Sequence, residues 1–200
     1  MQLILALVPF TLSAWLLRMA VLGESSQETV IDWIPQMDIQ LALMVGGFER
    51  LFLFLVSFIG GLILIYGGAY LENDSKGGRF LTVIMIFMSA MLGVIAADDI
   101  ILTFVFWELT SLTSFLLVGY KFADIAARKA AQQALMVTGA GGLALLAGLI
   151  LLTQITGVSR ISELVDHREL ITESHMLLPA LLLILAGVFT KSAQVPFHFW

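Results

Sequence analysis

Residues Ile100–Tyr120 read IILTFVFWELTSLTSFLLVGY, an apolar run that carries one acid, Glu108, near its middle. About 20 predominantly apolar residues suffice to cross the hydrocarbon of a bilayer. A second run of this kind, Leu177–Trp200, holds a lysine, Lys191. An ionised group at mid-depth costs roughly 2.5–3.5 kcal/mol on insertion scales, so it persists where it has a partner or a task. Both residues are therefore candidates for function.

The rest of the chain has the same character. Apolar residues make up 60% of it and charged residues 12%, with a mean hydropathy of +0.99. These values lie far outside a water-soluble domain. Six spans are expected, at Leu3–Leu22, Leu51–Leu71, Phe80–Ala97, Ile100–Tyr120, Ala131–Thr153 and Leu177–Trp200. The fold class is an all-α polytopic membrane protein, part of a larger helical bundle, with its last helix broken near Pro196. The start lacks the Lys or Arg of a cleavable signal, so the first span is read as a retained helix. With no cysteine, disulfides and thiolate chemistry are excluded. The net charge of −5 provides no basic surface for nucleic acid.

Loop charges give an orientation. Lys76 and Arg79 flank one turn, and Lys121, Arg128 and Lys129 another. By the positive-inside rule both face the cytoplasm, and the short acidic turn Asp98-Asp99 lies outside. Pro35, Asp32, Asp38 and the Gly46-Gly47 pair interrupt residues 29–50, where Ile39, Leu41 and Leu43 alternate with Gln40, Ala42 and Met44. That alternation predicts an extracellular extended segment or hairpin. The expected organisation is a first helix and outer loop over 1–28, this segment over 29–50, and a transmembrane bundle over 51–200. Residues 157–175 read as a short interfacial helix on the outer side, with Ser159 as N-cap.

On a helix, Glu108 shares a face with Phe104, Ser111, Leu112 and Phe115, and hydroxyls at Thr110, Thr113 and Ser114 lie close by. A hydroxyl-rich stripe beside an acid can hold water. The alternative role for Glu108 is hydrogen-bonded glue between helices. In Gly187–His198, Pro196 would lose a hydrogen bond to the Ser192 carbonyl and break the helix. Irregular backbone at membrane depth is tolerated where it lines a cavity. Desolvation weakens a lysine's hold on its proton and a nearby carboxylate strengthens it. A Glu108–Lys191 pair can thus act as a proton relay, the alternative for Lys191 being snorkelling to an interface. His198, two helical turns beyond Lys191 if the helix continued, suits proton exchange. The small residues Gly139, Gly141, Gly142, Ala144 and Gly148 read as a helix-packing surface. No nucleotide loop, metal-ligand cluster or cofactor motif is present.

FVFWELTSLTSFLLVGY (Phe104–Tyr120) and GVFTKSAQVPFHFW (Gly187–Trp200), with VIDWIP (Val30–Pro35), resemble the A-type family of large subunits in Mrp-type multisubunit Na⁺/H⁺ antiporters. The wider family includes the large antiporter-like subunit of respiratory complex I. The resemblance implies that Glu108 and Lys191 are the acid–lysine pair that moves protons, with His198 following. It further implies a multi-pass subunit in a bacterial cytoplasmic membrane, working with other subunits of a hetero-oligomer and exchanging a monovalent cation, Na⁺ by preference, for H⁺. Such a subunit is a secondary transporter with no cofactor. The family's two helices before the WIP segment, against one here, and its later half-channel residues lead us to expect an N-terminal fragment. A missing upstream helix would place the first span's start outside, in keeping with its lack of basic residues. The other readings are a proton-pumping subunit of an NADH-quinone or hydrogenase-type redox complex, and a scaffold subunit. WELTSL, in place of a glycine-rich version after Trp-Glu, favours the antiporter.

Overall fold

The structure is a computed structural model that describes residues 2–23, 25–34, 39–72 and 74–200. Among the described residues seven α-helices follow one another: α1 (Gln2–Val21), α2 (Gly47–Tyr70), α3 (Gly77–Ala96), α4 (Ile100–Val118), α5 (Ile125–Thr156), α6 (Arg168–Glu173) and α7 (Leu177–Lys191). Four of them, α2 to α5, are long and apolar enough to cross a membrane. α1 and α7 are shorter apolar helices. At 15 residues α7 rises about 22 Å, less than the ~30 Å of hydrocarbon, so the helix ends before a crossing is complete. α5, by contrast, begins at Ile125, six residues ahead of the expected Ala131, because Asp124 caps it by accepting from the Ala126 N–H at 2.8 Å.

Residues Gln27–Ile34 and Ile39–Val45 form strands β1 and β2, paired antiparallel with Thr29 opposite Leu43. Pro35 and Asp38, the breakers expected in this segment, lie outside the described residues. The alternation of β2 has a different outcome from the one its pattern suggests. Its fully buried residue is the small Ala42, whose carbonyl accepts from the Asp98 N–H at 2.8 Å. Leu41 and Leu43 are only half-buried.

The Asp98-Asp99 turn is far more than a tight reversal. Asp99 caps α4, accepting from the N–H groups of Ile101 and Leu102 at 2.9 and 3.0 Å. Asp98, 2% exposed, accepts from Arg160 Nε and Nη2 at 3.1 and 2.9 Å and from the Ser162 N–H and hydroxyl at 2.8 and 2.7 Å. Arg160 also pairs with Glu28 of β1 and with Glu163. Burial disfavours the Arg160 charge, but the bonds from Asp98 and Glu28 outweigh it and raise its pKa. The carbonyl of Ser159 accepts from the Ile100 N–H at 3.1 Å. The N-cap position of the segment that follows is Ile161, not the Ser159 expected from the sequence. The segment is a 3₁₀ turn, Ser162–His167, entered from Ile161 and running into α6.

At the opposite end of the spans, Tyr120 packs edge-on against Phe80 with centroids 5.0 Å apart and donates to Asp74 Oδ2 at 2.7 Å. The Lys76 N–H and the Tyr120 hydroxyl together hold the Asp74 carboxyl below its ordinary range. Donating that bond to Asp74 pushes the Tyr120 phenol up.

Between these ends the helices pack in sequence, α1 on α2, α2 on α3, α3 on α4 and α4 on α5, and α7 lies along α5. Glycine makes the last contact close. A Cβ at Gly187 would meet the Gly141 carbonyl and Leu145 Cβ at 2.7 Å, and one at Gly148 would meet the Ala180 carbonyl at 2.8 Å. Without a hydrophobic driving force between helices in lipid, such backbone proximity is how they gain contact. Many large apolar side chains point outward, among them Leu62 and Ile63 on α2, Leu112 on α4 and Leu182 on α7.

Two outcomes follow for the full-length protein. Asp98→Ala strips four acceptor contacts from Arg160 and Ser162 and leaves a guanidinium largely enclosed. It should cost about 3 kcal/mol, measured as a lowered unfolding temperature in detergent. For Tyr120→Phe the linkage sets a pH window. The Asp74 contribution is complete above its unfolded pKa and lost as pH falls through its lowered folded value; that of Tyr120 is complete below its unfolded pKa and lost as pH rises. The stability difference between Tyr120→Phe and the parent should thus exist near neutrality and vanish in acid, and an equal difference at both would contradict the assignment.

Candidate functional site

α4 carries Glu108 because its apolar neighbours make it a span and Asp99 fixes its start; the glutamate's place on the helix then decides which neighbour it meets. That neighbour is α5. A Cβ at Gly142 would collide with Glu108 Oε1, and one at Gly139 would rest 4.0 Å from Oε2. The glycines read in the sequence as a packing surface thus also form the seat of the carboxylate. Glu108 Oε1 is buried with no hydrogen-bond partner among the described residues, and so is the neighbouring Trp107 Nε1. An unsatisfied buried acceptor costs about 1–3 kcal/mol and more when charged, which makes Glu108 a candidate for a role beyond packing.

Lys191 is the last residue of α7. The helix ends there because the backbone leaves helical geometry at once, with Ala193 in the left-handed region at φ 52°. The break therefore opens upstream of Pro196. The freed carbonyls find donors as hydrocarbon requires. Thr190 O accepts from Trp200 Nε1 at 2.9 Å and Phe189 O from the Gln194 N–H at 3.0 Å, while Val188 O keeps its helical bond from the Ser192 N–H at 2.9 Å. The negative end of the α7 dipole favours a cation at this point.

The Lys191 ammonium reaches across to α4. It donates to Ser111 Oγ at 2.7 Å and to the Trp107 carbonyl at 3.2 Å, and lies 5.3 Å from the centroid of the Trp107 ring. Cation–π attraction strengthens when the charge is desolvated. Lys191 and Glu108 are close enough for their charges to interact, yet they form no direct ion pair, the three bridges among the described residues all belonging to Arg160. Lys191 also lines a cavity of about 250 Å³ with Ser111, Ser114 and Thr138 as its other polar walls and Phe87, Met91 and Trp200 as apolar ones.

Some expected partners fall elsewhere. Leu112, placed by spacing on the Glu108 face, is 49% exposed. His198 sits in the 3₁₀ turn Phe197–Phe199 beyond the break and is exposed. The helix that would have carried it two turns along the Lys191 face does not continue. Sequence reasoning missed the role of Gly142, of the Trp107 carbonyl and of Thr138. A glycine opposite a buried acid was the available signal for the first; the others depend on which helix faces which. Among the described residues no group of His, Asp and Glu could hold a metal ion.

A bundle of membrane-spanning helices with an acid on one helix and a lysine at the break of another defines the class: an integral membrane protein built to keep charge inside the bilayer. The chain belongs to the NADH:quinone oxidoreductase/Mrp antiporter transmembrane family, whose model matches residues 97–200; residues 33–81 match the N-terminus of chain 5 of NADH-ubiquinone oxidoreductase (complex I). It is 41% identical over 174 residues to the A-type Na⁺/H⁺ antiporter subunit of Alkalihalophilus pseudofirmus, covering 86% of this chain and 22% of the relative. It is 40% identical over 199 residues to the A-type Na⁺/H⁺ antiporter subunit of Bacillus subtilis, covering 99% of this chain and 25% of the relative. The Mrp complex from Dietzia sp. superposes with a TM-score of 0.86 at 30% identity, over 96% of this chain and 21% of that one. A membrane-bound sulfane sulfur reductase, at 20% identity and a TM-score of 0.76, shares the fold over 94% of this chain and 29% of its own. The chain thus spans between a fifth and a quarter of the length of the antiporter subunits it matches.

The seat of Glu108 makes a paired prediction. Gly142→Ala should displace the carboxylate and change its rate of labelling by a hydrophobic carbodiimide severalfold, whereas Gly139→Ala, whose methyl would sit at ordinary contact distance, should not; identical rates in both would mean the carboxylate does not rest on Gly142.

Proposed function

We propose that this chain is the part of an Mrp-type A-type antiporter subunit that contains its acid–lysine pair, and that the complete complex exchanges a monovalent cation, Na⁺ being favoured, for H⁺. In this reading the chain works as part of a transporter rather than as an enzyme, within a hetero-oligomer of other membrane subunits. The observation that carries it is the Glu108 carboxylate, buried and unpartnered beside a lysine that is itself held by Ser111 and the Trp107 carbonyl. With Lys191 held elsewhere and Glu108 unpaired, each is free to exchange a proton, and a swing of Lys191 from Ser111 toward Glu108 couples the exchanges. The hydroxyls of Ser111, Ser114 and Thr138 around the cavity supply positions along which a proton moves through water. His198, exposed past the break, takes up the proton from that cavity only after the segment following Lys191 rearranges.

Two further observations support the antiporter over a redox-driven pump: relatives near 40% identity carry antiporter names, and the redox-complex neighbour shares only the fold. One of the matched relatives, from Rhizobium meliloti, carries the name of a probable K⁺/H⁺ antiporter, so the cation is a matter for measurement.

The test uses the complete complex in inverted membrane vesicles with a dye that reports the proton gradient. Glu108→Gln and Lys191→Ala should each abolish cation-induced dequenching, a loss of at least about 100-fold for a group that carries the transported charge. Ser111→Ala should slow exchange without abolishing it. Full exchange in Glu108→Gln, with the complex assembled, would sink the assignment.

A further inference from the structure

Arg79 in the first turn of α3 and Arg128 in the first turn of α5 line one pocket of about 120 Å³, together with Phe115, Leu116, Phe122 and Gln132. Three helix ends meet there, the start of α3, the finish of α4 and the start of α5. Arg79 is exposed and makes no hydrogen bond or ion pair among the described residues. Arg128 lies over the Phe122 ring at 5.3 Å and donates to the Phe122 carbonyl at 3.3 Å, which orients its guanidinium without neutralising it. No carboxylate lines the pocket. Two of those at this end are engaged elsewhere, Asp74 with Tyr120 and the Lys76 N–H, and Asp124 with the Ala126 N–H.

Two uncompensated guanidiniums in one small pocket call for an anion with several acceptor oxygens, the arrangement for which their fork geometry is suited. The apolar walls say what else that anion carries. Phe115 and Leu116 continue into the transmembrane part of α4, and Leu116 is 40% exposed, so they present an apolar strip leading from the arginines along α4. A free phosphate would have no use for that strip, while a phospholipid would lay its glycerol and acyl chains along it. The opposite ends of the spans are acidic; there Arg160 is taken by Asp98, Glu28 and Glu163, and Arg50 donates to the Ser25 carbonyl. Lys76, Lys121 and Lys129 lie at the same end as the pocket, and basic pockets between helices on that side select anionic headgroups.

We propose that Arg79 and Arg128 form a headgroup site for an anionic phospholipid at the junction of α3, α4 and α5. The site is separate from the cavity beside Lys191, with which it shares no lining residue.

The test uses the full-length chain assembled in its complex and purified in detergent, exposed to photoreactive phosphatidylglycerol or phosphatidylcholine at equal mole fraction. Phosphatidylglycerol should label the peptide spanning Phe115 to Phe122 in preference to phosphatidylcholine. Arg79→Gln and Arg128→Gln should each weaken that labelling roughly fivefold, the factor expected for one basic side chain at an anionic surface. The double Arg→Lys variant should retain most of it. Because Arg79 has no partner to lose among the described residues, Arg79→Gln remains a fair test where the Arg128 change disturbs folding. Equal labelling by both lipids, or labelling indifferent to Arg79→Gln, would overturn the proposal. So would competition by millimolar inorganic phosphate, which would mark a free-anion site, and absence of label in the assembled complex, which would mean that a neighbouring protein of the complex covers the pocket.

Discussion

The contact on which the rest of the site depends is Gly187 of α7 lying against the Gly141 carbonyl of α5. No side chain separates the two backbones there. In lipid, where apolar helices gain nothing from avoiding the solvent, such close approach supplies the attraction between helices. It also sets distance. With α7 drawn onto α5, the end of α7 lies within reach of α4, and Lys191 can donate to Ser111 and to the Trp107 carbonyl. The next glycine on α5, Gly142, then receives the Glu108 carboxylate from the other side. One run of small residues thus packs two helices and seats an acid.

The ends of the spans are held differently, because water and loop charges are available there. At the acidic end Asp98 gathers the hairpin, the α3–α4 turn and the segment before α6 through backbone and side-chain bonds. At the basic end a phenol-to-carboxylate bond joins the α2–α3 turn to the end of α4. The spans between them are polar chiefly at the site. The α5–α7 contact is close-packed along its length, whereas Lys191 is held by two polar bonds that can exchange without unfolding the bundle.

The helix break supplies the remaining requirement. A lysine in the middle of a continuous span would sit against satisfied carbonyls. At the end of α7 it meets the negative end of a helix dipole, while Trp200 and Gln194 take up the carbonyls that the break releases. The cavity beside it is walled by hydroxyls on two other helices, which gives a proton somewhere to go.

Much of this was legible in the residues. Length and hydropathy determine that α2 to α5 cross a membrane, and the cost of burying charge marks Glu108 and Lys191 without any knowledge of their neighbours. The small residues of α5 announce a close helix contact for the same local reason. What the sequence could not convey is which partner each polar group finds. Spacing put Leu112 beside Glu108, but α4 turns Leu112 outward; helical continuation put His198 over Lys191, but the chain leaves the helix at Ser192; a serine ahead of a polar segment looked like a cap, but the N-cap position there is Ile161. Asp98 looked like a turn residue and proved to be a buried acceptor for groups more than 60 positions away. Transfer free energy depends on composition and is written locally in the chain, so the sequence alone determined that charge is held within the bilayer. Hydrogen bonds and glycine contacts depend on the distance between helices, so only the tertiary structure decided that Lys191 rests on Ser111 and Glu108 on Gly142.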